Sequence, residues 1–251
     1  ELGAWVQDFR TVMTRTPEDV VETLDQARMD EIDRIISVGG DGTNKVMVNA
    51  IMEHRANFPD HDVIFGSIPA GTGRDFARGV GLPLRTMDAV EYVLTKAQPR
   101  WIDLGVAEFE NEKHYFLNAA NAGIANDVAL RVERSRKRPW TFLTSVIRSL
   151  MGYQPESVRI ELDGERWFDG NIYVMGVANG KSIGQGILIA PAAIVDDGYF
   201  DVVIAEEMPF FDLVKAFPSI YTGKHITHPK VKVQRAKQVR IVSPVNQTIG
   251  M

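Results

Sequence analysis

The stretch Ile36-Ser37-Val38-Gly39-Gly40-Asp41-Gly42-Thr43-Asn44-Lys45 constrains this chain more than any other. An apolar run ends in closely spaced glycines, and helical spacing resumes at once with Val46, Met47, Ala50 and Ile51. The pattern predicts a buried strand over residues 32–38, a tight turn, and a helix from Thr43 to about Glu53. Fixing a glycine costs conformational entropy, so three of them at one strand end call for a reason. At the carboxyl end of a parallel strand, free backbone N–H groups and a helix N-terminus can receive a phosphate. Asp41 would then face the ligand, where a carboxylate holds Mg2+ directly or through water. Taken alone, the stretch is explained about equally well by a turn with no ligand.

It has a partner. The segment Gly66-Ser67-Ile68-Pro69-Ala70-Gly71-Thr72-Gly73-Arg74-Asp75 repeats the arrangement after a second strand, predicted over residues 63–68. Gly71, Thr72 and Gly73 form another flexible loop, followed by Arg74 and Asp75. Loops that leave neighbouring parallel strands open into one crevice, where they would clamp a polyphosphate from two sides.

The surrounding elements fit such a sheet. Thr16-Pro17-Glu18-Asp19 reads as a helix start, with a cap, a proline in the first turn and acids beside it; this helix runs to about Met29. Another helix is predicted over 87–95. This alternation predicts a parallel sheet with helices on its faces. After Pro99 the pattern changes. Strands are predicted over 101–109, 114–118, 158–162, 167–177, 199–205 and 231–242, with Asp163-Gly164 as a hairpin turn. Helices are predicted near 126–134, 140–151 and 209–221. The expected architecture is an α/β domain over residues 1–100 and a mainly antiparallel, β-sandwich-like domain over 101–251.

Composition narrows the function. With 251 residues, 45% of them apolar, the chain can bury a sizeable core. A formal charge of −5 gives no field that favours nucleic acid. The absence of cysteine excludes disulfides and thiolate metal sites. His54, His61, His114, His225 and His228 lack the spacing of a helical zinc site. No run of 18 apolar residues is present, and no signal-peptide pattern opens the chain.

The two loops and several later segments resemble the bacterial diacylglycerol kinase-type lipid kinases. The match rests on Gly39 to Thr43 and on Ile68 to Pro83. It continues through Trp101-Ile102-Asp103-Leu104-Gly105, through 115–128, through 188–204 and through 223–231. The resemblance implies an α/β domain related to NAD kinases and phosphofructokinases and a β-sandwich-like second domain, with lipid and ATP in the cleft between them. It implies nucleotide contacts from Gly39, Gly40, Gly42, Thr43, Gly71, Thr72 and Thr14. It places Asp41, Asp75 and Asp103 along the cleft, with Asp41 organising Mg2+ and ATP. It also implies a structural Mg2+ held by Asp197 and by backbone carbonyls of Ile194 and Tyr199. From the residues alone, that Asp-Gly loop reads more readily as a solvated turn than as an ion site.

Three departures stand out. The family's opening strand and phosphate loop would precede Glu1, so the chain is expected to continue upstream. Where the family has an apolar residue, Asn and Glu after the glycine turn, this chain has Asn44, Lys45 and Val46. The family's C-terminal Asp-Gly-Glu, whose Glu is its proposed base, has Ile249-Gly250-Met251 as its nearest counterpart, so a further C-terminal part is expected. Asp163-Gly164-Glu165 reads as a hairpin turn rather than a replacement.

The expectation is therefore an ATP-dependent, Mg2+-dependent lipid kinase acting on the primary hydroxyl of diacylglycerol or a similar lipid. It would be cytoplasmic and peripheral to the inner membrane face. The basic run over 131–140 and the amphipathic segment after it suit contact with anionic lipid, or a place in the core. An inactive nucleotide- or lipid-binding homologue and a soluble kinase of the NAD kinase type remain alternatives. Oligomeric state is left open, a homodimer included.

Overall fold

A computed structural model of the chain describes residues 9–109, 112–124, 153–243 and 250. These form two compact units, one ending at Leu117 and the other starting at Asn118.

In the first unit, α1 (Pro17–Met29) starts where its sequence dictates. The Thr16 hydroxyl accepts the Asp19 N–H, the Asp19 carboxylate accepts the Thr16 N–H, and Pro17 fills the first helical position. Strands β1 (Arg34–Gly39) and β2 (Ile64–Pro69) pair in parallel, from Arg34 opposite Ile64 to Gly39 opposite Pro69. The helix between them is α2 (Asp41–Asn57). Side chains alternate along a strand. Ile35 and Phe65 therefore turn to one face, where they pack with Val20 and Leu24 of α1 and with Met47 and Ala50 of α2. Gly66 belongs to the opposite face, against Val93 of α4 (Thr86–Thr95). Helices thus cover the parallel sheet as the alternating pattern predicts.

Two features of this unit escape the sequence pattern. Residues 75–80, for which the sequence pattern predicts no element, form a short helix α3 (Asp75–Val80). The hairpin of β3 (Gly105–Phe109) and β4 (Glu112–Phe116) belongs here and not to the second unit. The reason is Asn49 of α2, whose amide grips the Tyr115 backbone. Its Nδ2 donates to the Tyr115 carbonyl at 2.9 Å and its Oδ1 accepts the Tyr115 N–H at 2.8 Å. Tyr115 and Leu117 pack in turn with Val48 and Phe76. The boundary consequently falls later than the one expected near residue 100.

The second unit is an antiparallel sheet of β5 (Ala119–Gly123), β6 (Glu156–Leu162), β7 (Glu165–Ala178), β8 (Phe200–Glu206), β9 (Val231–Ala236) and β10 (Val239–Val242). The order is β10-β6-β7-β8-β9, with β5 paired to the C-terminal half of β7. The period of two in Val158, Ile160 and Leu162 sends these side chains into a core with Ile172, Met175, Val202 and Ile204. β5 carries alanines, asparagine and glycine, none with high strand propensity, so no pattern announces it. The predicted strand over 231–242 is two strands. Likewise the predicted helix over 209–221 is α5 (Phe210–Ala216) and a 3-10 turn (Phe217–Tyr221), since Pro218 has no N–H to extend the helix. The helices expected near 126–134 and 140–151, and the basic run over 131–140, lie outside the described residues. No helix among the described residues is long and apolar enough to cross a membrane.

Asp163 and Gly164 form the two-residue turn between β6 and β7, with φ of 51° and 87°. Asp163 Oδ1 also accepts the N–H groups of Lys237 (2.9 Å) and Gln238 (2.8 Å), which pins the turn between β9 and β10. Asp163→Ala removes this acceptor and places a residue with no local hydrogen bond at positive φ. It should lower stability by roughly 1–3 kcal/mol in urea unfolding, and Asp163→Asn should recover most of the loss.

Candidate functional site

The parallel register brings both glycine loops to the same edge of the β1–β2 pair, and they are bonded to one another. The Gly39 carbonyl accepts the N–H groups of Ala70 (2.8 Å) and Gly71 (3.2 Å). The backbones touch so closely that a Cβ on Gly71 would collide with Gly40 Cα, and one on Gly73 with the Asp41 carboxylate. Asp41, the first residue of α2, reaches across to the second loop. Its Oδ1 accepts the Phe76 N–H at 2.9 Å and its Oδ2 the Asp75 N–H at 3.2 Å. These are the otherwise orphaned amides of the first turn of α3. Asp41 is thus a bridge between the loops as well as a carboxylate at a helix start.

Further contacts hold the loops in place. Arg74, a residue with a side chain, adopts the left-handed region at φ 60°. Such a backbone persists only where its surroundings fix it. Here Arg74 Nε donates to the Gly71 carbonyl at 2.9 Å and Nη1 to the Leu84 carbonyl at 2.7 Å. Asp75 is buried and ion-paired with Arg78 at 3.1 Å. Asn44, also buried, accepts the Ser67 hydroxyl at 3.1 Å, which bolts α2 to β2. Val46 packs with the α1–α2 core, so an apolar residue there has a role in packing. Gly42, Thr43 and Thr72 remain exposed at the mouth. The first N–H groups of α2 have no acceptor within the helix, and a helix start favours negative charge.

Of the residues singled out from sequence, Gly39 to Thr43 and Gly71 to Asp75 thus form one constellation. Thr14 is half-buried in the extended segment before α1, with no hydrogen bond to either loop among the described residues. Asp103 lies between Ile102 and Leu104, which share an apolar cluster with Phe76. Ile194, Asp197 and Tyr199 lie in the second unit. There Asp197 Oδ1 accepts the Tyr199 N–H at 3.0 Å and Oδ2 is ion-paired with Arg235. The one carboxylate expected to hold a structural ion is therefore already neutralised by a guanidinium, so the loop does not fit a divalent metal as it stands. Among the described residues, no group of three or more His, Asp or Glu side chains is placed to hold a metal ion.

One pairing has no signal in the sequence. His54 and His61 meet, Nε2 to Nδ1 at 3.0 Å, and His54 Nδ1 faces Asp25 at 3.4 Å. The contact depends on the turn after α2, not on helical spacing. His225 is buried in the second unit. Its Nε2 donates to the Ile189 carbonyl at 3.2 Å, while Nδ1 has no hydrogen-bond partner among the described residues. Burial therefore holds the imidazole below its usual range, against the smaller opposing effect of the Ile189 carbonyl.

A parallel strand pair ending in two fused glycine loops, with a carboxylate at the helix start, is an arrangement able to receive a phosphate. Comparison with known proteins gives the family. Residues 4–107 match the diacylglycerol kinase catalytic domain, and residues 118–250 match the YegS C-terminal NAD kinase beta sandwich-like domain. A diacylglycerol kinase of Staphylococcus carnosus is 31% identical over 235 residues, which is 92% of this chain and 72% of the relative. A diacylglycerol kinase of Mycobacterium tuberculosis is 31% identical over 84% of this chain and 67% of its own length. A crystal structure of a diacylglycerol kinase from Bacillus anthracis shares the fold, with a TM-score of 0.70 at 19% identity, over 99% of this chain and 79% of that one. The chain belongs to the diacylglycerol kinase family, and its catalytic domain is that of a lipid kinase.

Steric fit at the loops makes a sharp contrast. Gly71→Ala should destabilise the first unit by roughly 1–3 kcal/mol in denaturant unfolding, because the colliding atom is backbone. Gly42→Ala, where a Cβ meets nothing within 4 Å, should cost less than about 1 kcal/mol. His225 supplies a pH test. Its folded pKa lies below the unfolded value of about 6.5, so its contribution is complete above that pH and is lost as pH falls below it. Urea midpoints should therefore drop from pH 7.5 to pH 5.5, and His225→Gln should flatten that dependence.

Proposed function

We propose that this chain transfers the terminal phosphoryl group of ATP to the primary hydroxyl of diacylglycerol or a closely similar lipid. The observation that carries the reading is the bonded pair of loops at Gly39–Thr43 and Gly71–Asp75, in a chain whose catalytic domain matches the diacylglycerol kinase domain. Phosphoryl transfer through a loose transition state asks mainly for positioning and charge neutralisation. Backbone amides at Gly40, Gly42 and Thr43 and the hydroxyls of Thr43 and Thr72 receive the phosphates. Gly71 and Gly73 keep the second loop within reach, because any side chain there would push it away from Gly40 and Asp41.

Asp41 does two things. It fixes the start of α3 through two N–H groups, and its negative charge would hold a nucleotide-bound metal through water. Mg2+ entering with the nucleotide would supply charge neutralisation at the transferred phosphoryl group. Asp75 acts through Asp41 and Arg78 as a positioning residue. Glu165 lies at the β6–β7 turn, opposite Leu162 in the strand register. The acceptor lipid resides in a bilayer, so the reaction takes place at a membrane surface, with the chain attached peripherally.

Incubation with radiolabelled ATP, Mg2+ and mixed micelles of diacylglycerol and detergent tests this directly. Phosphatidic acid should accumulate, and Asp41→Asn should slow its formation by about 100-fold or more with circular dichroism unchanged. Label appearing in NAD instead of lipid, or ATP binding with no transfer to any lipid, would reject the assignment.

A further inference from the structure

We infer that Arg235, on β9, is the cation that braces the loop over residues 194–199, occupying with a guanidinium the carboxylate that the family resemblance assigns to a divalent ion. The inference concerns the second unit and does not depend on which acceptor the kinase uses.

The contacts converge on one side chain. Asp197, largely shielded from solvent, has one oxygen on the Tyr199 N–H and the other on Arg235. The Arg235 guanidinium carbon lies 4.6 Å above the Tyr199 ring centroid. A planar guanidinium can serve a carboxylate in its plane and an aromatic ring on its face together, which an ammonium or a hydrated metal ion cannot do. Lys237 Nζ lies 5.0 Å from the same ring, so Tyr199 is flanked by two cations. Arg235 thus ties both ends of the short segment Asp197-Gly198-Tyr199 to β9.

A second acid makes the position of the charge matter. Asp201 on β8 stands directly opposite Arg235 in the strand register and is 4% exposed. Arg235 therefore carries its charge beside two acids, Asp197 through an ion pair and Asp201 across the strand register. A divalent ion at Asp197 would compete with Arg235 for the carboxylate and would sit close to the positive charges of Arg235 and Lys237. Repulsion among them works against such an ion. The brace against Asp197 is already supplied by the chain itself.

Thermal unfolding of the whole chain, without nucleotide, tests the inference. The melting temperature should be the same in EDTA and in millimolar Mg2+. Arg235→Met should lower it by roughly 4 °C or more. The same substitution in an Asp197→Asn background should have a clearly smaller effect, because the partner is already neutral. Mn2+ binding followed by electron paramagnetic resonance reports independently of whether Arg235→Met folds: the parent chain and Asp197→Asn should bind the same number of ions. A melting temperature that rises with Mg2+ in the parent but not in Asp197→Asn would overturn the inference. So would a Mn2+ site lost in Asp197→Asn, or an Arg235→Met variant as stable as the parent.

Discussion

The Gly39 carbonyl accepts two amides from the opposite loop, and this small arrangement sets the geometry of the first unit's site. It requires two parallel strands in a register that ends Gly39 against Pro69. It also requires that neither Gly71 nor Gly73 carry a Cβ. Once the loops are in contact, the Asp41 carboxylate lies within reach of the amides that start α3, and it takes two of them. A single carboxylate then joins the start of α2 to the start of α3. The exposed amides and hydroxyls around it are held before any ligand arrives, which is the condition for electrostatic preorganisation.

The supporting contacts are polar and wholly or partly buried, so each depends on its partner. Asn44 holds Ser67, Asp75 holds Arg78, and Asn49 holds the backbone of Tyr115. A buried amide or carboxylate that loses its partner costs more than the hydrogen bond gained by making it. That asymmetry explains why a site built from flexible glycines is nevertheless specified. The second unit follows a different plan. Its sheet is held by an alternating apolar core, and Asp163 at a turn and Arg235 on β9 each fasten two segments.

Much of this was legible in the sequence, because the signals were local. The cap at Thr16, the glycine turns after β1 and β2, and the Asp163-Gly164 hairpin each need only a few neighbouring residues to define them. The adjacency of the two loops followed from the rule for parallel sheets. The features that were not legible depend on distant partners. β5 is strand only because its small residues fit beside β7. The β3–β4 hairpin resembles the strands after it and is claimed by the first unit through Asn49, a residue 66 positions away from Tyr115. α3 begins at a left-handed arginine, which no capping rule anticipates, and depends on Asp41 for its first amides. The pairing of Arg235 with Asp197 spans 38 positions and could not be read from either segment alone.

Hydrogen–deuterium exchange, with and without ATP and Mg2+, measures the central claim most directly. If the two loops are one phosphate crevice, the amides of residues 40–43 and 70–76 should gain protection together and to a similar degree. Protection confined to one loop, or gained only elsewhere in the chain, would contradict it.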